Sequence, residues 1–343
     1  MKRQPAFGLG GEIIAAGQRM SVGLPMARLY THTEMTMPVH VVHGRQAGPT
    51  LFVSAAIHGD EINGIEIIRQ LLKNRSLNRL KGTLLAIPFV NPFGVIQRSR
   101  YLPDRRDLNR SFPGSPSGSL AGRLAHLFVE QIVRRCTHGI DLHTGLNHRS
   151  NLPQIRADLT DAETARLAKV FGAPLVLHSE VRDGSLREAA VDLGLPVLLF
   201  EGGEALYFNP AAIKSGVRGI LNVMRAIGML PASRKSRENE PIYAEKTHWI
   251  RATRSGIFEK RARLGALVHK GDLLGILSDP LGDELSRFFA PVTGVVIGQL
   301  NLPLCYEGDA LMNIAAVKNA AEAEEILEDY TSELTVEDFG LER

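Results

Sequence analysis

Short apolar, β-branched runs alternate with segments of helical periodicity through the first two thirds of the chain. No other feature constrains the fold as much. Strands are predicted over 39–42, 50–57, 83–90, 139–143, 175–178 and 197–200, and helices over 61–73, 120–136, 161–171, 185–193 and 210–227. Strands and helices in that rhythm give an α/β layer structure with a mixed, largely parallel sheet flanked by helices. In such folds the chemistry gathers where strands end.

The texture changes near residue 231. Residues 231–245 are polar, charged and flanked by proline, as in a linker. Residues 246–317 then read as short strands punctuated by glycine. They hold a weak internal repeat in which Ser255-Gly256-Ile257 precedes Lys270-Gly271-Asp272, as Thr293-Gly294-Val295 precedes Glu307-Gly308-Asp309. The expected organisation is an α/β domain over 1–230, a linker, a smaller all-β domain over 246–317 and an acidic tail over 318–343.

Hydrophobic residues at 44% and charged residues at 22% fit a globular chain that folds in water. No apolar run is long enough to cross a bilayer, so no membrane association is expected. The stretch Gly8–Glu12 lacks the apolar core of a secretory signal. With only two cysteines, Cys136 and Cys305, a disulfide framework and a cysteine-rich zinc cluster are both excluded, and a reducing cytoplasm is the expected location. The net charge of +3 conceals an asymmetry: residues 318–343 carry −7 and the remainder +10. The tail reads as a solvated helix. The basic residues elsewhere are dispersed without interleaved aromatics, which argues against a nucleic-acid partner.

Ile57-His58-Gly59-Asp60-Glu61 follows a predicted strand and opens a helix. At such a turn side chains three residues apart converge, and Zn²⁺ accepts imidazole nitrogen and carboxylate oxygen together. Alone, an HxxE pair is more often a surface hydrogen bond; its place at a strand end raises it. A third ligand is best supplied by His143, in Asp141-Leu142-His143-Thr144-Gly145 at the end of another strand. Asp141 lies on the same side of that strand and suits the second imidazole N–H. The remaining histidines have a surface or core role as their better reading.

Glu201 closes the strand over 197–200 and precedes Gly202-Gly203, so its carboxylate points into the crevice while the glycines let a substrate backbone approach. The loop after residue 90 holds Arg98, Arg100, Arg105, Arg106 and Arg110. Arginines there suit the grip of a substrate carboxylate or the stabilisation of an oxyanion.

Three motifs in order, His58-Gly59-Asp60-Glu61, Asp107-Leu108-Asn109-Arg110 and Asp141-Leu142-His143-Thr144-Gly145, resemble the succinylglutamate desuccinylase/aspartoacylase family, a branch of the zinc carboxypeptidase superfamily. The similarity runs over roughly residues 40–315. It implies a zinc-carboxypeptidase-like fold and one Zn²⁺ on His58, Glu61 and His143, with water at the open position. It also implies Glu201 as general base, with Glu204 as the alternative but better read as a solvated loop residue, and Asn109 and Arg110 as holders of a substrate carboxylate. The oxyanion arginine maps to Arg100, although altered spacing to the Asn-Arg pair keeps Arg106 in competition. Arg187 resembles an arginine that contacts substrate or orients the site. The β segment resembles the barrel-sandwich of lipoyl and biotinyl carriers but has no lysine at the tip 278–284, and Tyr306 is expected to be a packed tyrosine.

The expected activity is hydrolysis of a small anionic N-acyl amino acid. A metallocarboxypeptidase acting on short peptides, or a catalytically silent binder of an acidic metabolite, are the alternatives. Self-association is compatible with the sequence, and the acyl group is beyond it.

Overall fold

The computed structural model describes residues 4–146, 148–232 and 240–336. Its centre is a sheet of 13 strands. Four strands in its middle, Lys81–Ile87, Gln46–Ala55, His138–Gly145 and Val197–Glu204, run parallel in that order. Antiparallel strands flank them: Glu34–His43 and Arg19–Arg28 on one side, Arg149–Ala157 on the other. The predicted mixed sheet flanked by helices is what is found.

Side chains that alternate along each strand fill two cores. Leu51, Val53, Ala55, Ile140, Leu142, Leu198 and Phe200 face one layer, packed under the helices Asn63–Lys73, Ala162–Phe171 and Pro210–Ala226. Phe52, Leu85, Ile87 and Val197 face the other, under Leu120–Gln131 and Leu186–Val191. Each fully buried Leu or Phe contributes about 1.5–3 kcal/mol relative to exposure. Local chemistry sets the helix ends. Asp161 caps its helix by accepting from Thr164 N, and Gly172 ends it at φ +80°. Asn209 caps the Pro210–Ala226 helix, with proline at its first position.

The C-terminal β segment divides. Gly256–Lys260, Leu273–Ser278, Glu284–Phe289 and Leu304–Cys305 form a separate antiparallel sheet of four strands. Thr247–Arg251, Leu267–Val268, Gly294–Leu300 and Ala310–Ala316 instead extend the central sheet, the Gly294 strand pairing with the Arg149 strand. Of the expected linker, residues 233–239 lie outside the described residues, and Ile242–Ala244 pairs with Leu175–His178. The acidic tail is helical over Ala320–Val336, and residues 337–343 lie outside the described residues. Among the described residues no helix is long and apolar enough to cross a membrane.

Candidate metal centre and active site

The parallel strands deliver their chemistry at their C-terminal ends. The Gln46 strand stops at Ala55, and the next residue, Ala56, turns the chain with φ +55°. That conformation is costly for a residue with a Cβ, and it aims His58 back over the sheet. Gly59 then lies against the Gly94 backbone so closely that a Cβ on it would come within 1.9 Å of the Gly94 carbonyl carbon. The turn closes with Glu61 N donating to the His58 carbonyl, 3.1 Å, before the helix starts at Asn63.

His58, Glu61 and His143 meet there, each at least nine-tenths buried. His58 Nδ1 lies 2.7 Å from Glu61 Oε1, and His143 Nδ1 lies 2.8 Å from Glu61 Oε2. Each imidazole is held from behind by another carboxylate. His58 Nε2 is 3.1 Å from Asp107 Oδ1, and His143 Nε2 is 2.7 Å from Asp141 Oδ2. Asp141 Oδ1 in turn accepts from Ser54 Oγ at 2.8 Å.

The electrostatics follow from this geometry. Burial opposes charge on His143, but Asp141 and Glu61 outweigh it and hold the imidazolium well above its usual range. His58 is raised in the same way, burial being overcome by Glu61 and Asp107. Glu61 is pushed down, because the two imidazoles outweigh its burial.

A metal ion fits this donor set. One ligand atom from each of the three residues lies within 4.8 Å of the others. The carboxylates on both Nε2 atoms favour the Nε2–H tautomer, which leaves the two Nδ1 lone pairs turned toward Glu61.

The trio opens into a cavity of about 220 Å³. Arg100, at its edge, donates through Nε and Nη2 to Asp107 Oδ2, at 3.2 and 2.9 Å, and through Nη1 to Glu61 Oε1 at 3.3 Å. Arg106 is exposed and does not line the cavity; its amide donates to Asp104 Oδ1. Asn109 and Arg110 both line it. Asn109 Oδ1 accepts from Leu186 N at 2.9 Å, which ties the loop to the Leu186–Val191 helix. Arg187 is 6% exposed and donates to the Ser179 carbonyl, Ser179 Oγ and the Glu180 carbonyl.

Glu201 faces the same cavity and pairs in register with His143 across the two strands. Its Oε2 accepts from Asn151 Nδ2 at 2.9 Å, and its Oε1 lies 3.7 Å from Arg156 Nε. Glu204 bonds instead to Ser150 and Asn301, away from the cavity. Tyr306 is 79% exposed and not packed as expected. The structure also brings in residues to which sequence reasoning gave no role: Asp107, Asn151, Arg156, Arg182 and Trp249. Asp107 stood in a quoted motif, and Trp249 is the chain's single tryptophan. The other three carried no recognisable signal.

Fold and site together define a mixed-sheet α/β protein with a buried His-Glu-His cluster opening into an arginine-lined cavity. The sequence profile of the succinylglutamate desuccinylase/aspartoacylase catalytic domain matches residues 47–227, and the chain belongs to that family of deacylases. It is 28% identical over 254 residues to the N-alpha-acetyl-L-2,4-diaminobutyric acid deacetylase of Halomonas elongata, covering 71% of this chain and 74% of that protein. It is 32% identical over 129 residues to succinylglutamate desuccinylase of Pseudomonas aeruginosa, 35% of this chain and 38% of that one. Among solved structures it is similar to the product-bound ectoine utilization protein EutE (DoeB) of Ruegeria pomeroyi, with a TM-score of 0.77, 25% identity and coverage of 87% and 95% of the two chains. A succinylglutamate desuccinylase/aspartoacylase from Rhodobacter sphaeroides gives a TM-score of 0.76 at 25% identity, over 87% and 96%.

Proposed function

We propose that this chain is a zinc-dependent deacylase that hydrolyses the amide bond of a small N-acyl amino acid. The observation that carries the reading is the convergence of His58, Glu61 and His143 on one point beside a cavity that also holds Glu201. Two imidazoles and a carboxylate suit zinc, which when bound polarises an amide carbonyl and lowers the pKa of water.

The chain's own residues do the rest. Glu201 takes a proton from the attacking water and passes it to the departing amine, and Asn151 holds its carboxylate in place. Arg100, fixed by Asp107, presents positive charge to the oxyanion; exposed Arg106 is less well placed. Asn109 and Arg110 receive the substrate's carboxylate, and Arg187 supports that wall. A cavity of about 220 Å³ suits an N-acyl amino acid better than a peptide. The β segment over 246–317 acts as an accessory unit that borders the cavity through Trp249. Two unpaired cysteines accord with a cytoplasmic location.

Zinc-loaded protein offered N-acetyl and N-succinyl amino acids should release amine. Glu201→Gln should retain its metal and lose at least about 10²-fold in turnover. No release from any N-acyl amino acid would overturn the reading, and near-normal turnover by the variant would reassign the base.

A further inference from the structure

The strand that carries Glu201 ends irregularly. Glu201 pairs in register with His143 on one side and Gln154 on the other, and both ladders slip directly after it. A bulge of this kind re-aims side chains and interrupts the ladder, so the strand end needs another hold. That hold comes from Asn63, the first residue of the Asn63–Lys73 helix and two positions past Glu61.

Asn63 is fully buried. Its Nδ2 donates to the Gly202 carbonyl at 3.2 Å, and its Oδ1 accepts from Asn209 N at 2.8 Å. Asn209 in turn accepts from Ala212 N and so caps the Pro210–Ala226 helix. A second tie between the same segments runs from Leu206 N to the Asp60 carbonyl, 2.8 Å. The glycines after Glu201 fit this arrangement. Gly203 stands at φ +75°, and a Cβ on it would come within 2.3 Å of Asn63 Nδ2. A Cβ on Gly202 would meet the Phe200 ring at 2.9 Å, and neither glycine lines the cavity. They make room for the Asn63 amide and the Phe200 ring, not for the substrate backbone that the sequence suggested.

We infer that Asn63 is a positioning residue, tying the strand end that carries Glu201 to the turn that carries His58 and Glu61. It does not line the cavity. It acts by keeping the base and the ligand turn at one separation, and a misplacement of about 1 Å between such groups costs on the order of 10²-fold in rate. The inference rests on the deacylase reading for the role of Glu201. Glu61 has supports of its own in the two imidazoles, Thr144 N and Arg100. Loss of Asn63 therefore frees the Glu201 side of the pair and leaves the ligand side in place.

The test uses Asn63→Ala and the milder Asn63→Ser in the zinc-loaded full chain, each alone and combined with Glu201→Gln. Turnover is measured on N-acetyl and N-succinyl amino acids, zinc affinity by competition with a chelator, and exchange of the Asn209 amide by NMR. Asn63→Ala should lower kcat about 10–100-fold with KM nearly unchanged, and Asn63→Ser should lower it less. Zinc affinity should stay close to that of the parent. In the Glu201→Gln background the same substitutions should reduce kcat little further, because the group being positioned is already lost. The Asn209 amide should exchange about tenfold faster or more, while the Ile68 amide inside the Asn63–Lys73 helix keeps its protection.

Full kcat in Asn63→Ala overturns the inference, and so does a loss that simply adds to that of Glu201→Gln. A fall of kcat in step with zinc affinity overturns it too, since Asn63 would then support the ligand turn alone. If Asn63→Ala does not fold, the same measurements on Asn63→Ser decide. Failure of the deacylase reading shows separately. If no N-acyl amino acid is hydrolysed, or Glu201→Gln turns over normally, the base assignment falls. In that case faster Asn209 exchange at preserved zinc affinity upholds the tie, and unchanged exchange removes it.

Discussion

Asp141 shows how much of this site depends on residues that hold the metal-ligand candidates in place. It is 1% exposed, accepts from Ser54 and holds His143 Nε2, so it fixes both the ring's orientation and its tautomer. Asp141→Asn should weaken zinc binding about 10–100-fold while the fold persists, read by competition with a chromogenic chelator. Unchanged affinity would show that the ring is oriented by packing alone. The same pair makes the metal-free protein sensitive to pH. His58 and His143 have folded pKa values raised above the unfolded value of about 6.5, so their contribution to stability is complete below that pH. It is lost as pH rises through the raised values, while proton competition for the Nδ1 atoms eases and zinc binds more tightly. Thermal melts of chelated protein should therefore fall on the alkaline side, and zinc should restore them there; parallel melting curves with and without zinc at all pH values would contradict this.

At the scale of elements, the sequence was most legible where the pattern was strongest. The expected strand at 175–178 is present as Leu175–His178, and the expected helix at 61–73 is Asn63–Lys73 with its first two positions spent in the turn that carries Glu61. The strand Arg149–Ala157 was illegible, and with it Asn151 and Arg156. Its sequence is polar, and Pro153 at its centre argues for a loop. The sheet explains the tolerance. Residues 149–151 pair with the Gly294 strand and residues 154–157 with the Leu175 strand, so Pro153 stands where the neighbour changes and no ladder bond is lost. Such a handover depends on strands more than 20 residues away in sequence, beyond the reach of local pattern. The turn holding His58 yields its own prediction. Because Gly59 rests on the Gly94 backbone, Gly59→Ala forces the two segments apart and should cost about 1–3 kcal/mol, with the metal site loosened in proportion. Denaturant unfolding together with zinc content checks both, and a variant with wild-type stability would mean that the Asn91–Gly94 segment yields freely.

For the whole molecule, the division into an α/β part and a β part is sharper in the sequence than in the sheet. Residues 246–317 were expected to stand beside the α/β layer, yet four of their strands belong to its sheet. The Gly294 strand covers the edge of the Arg149 strand at residues 149–151, the Ile242–Ala244 strand covers the edge of Leu175–His178, and Ala323 from the last helix seals Leu175, Ile242 and Val295. Trp249 reaches the cavity from the same segment and lies over Arg149, 5.8 Å from the guanidinium carbon to the ring centroid. A chain ending at residue 232 would keep the three metal-ligand candidates and Glu201, but would bare strand edges and apolar side chains now buried. It should therefore aggregate on expression, despite spanning the whole of the matched catalytic domain at 47–227. Light scattering and zinc content of the truncated chain provide the check. A monodisperse product that binds zinc as the full chain does would show that the α/β layer closes by itself, and would reduce the β strands from part of the fold to an attachment.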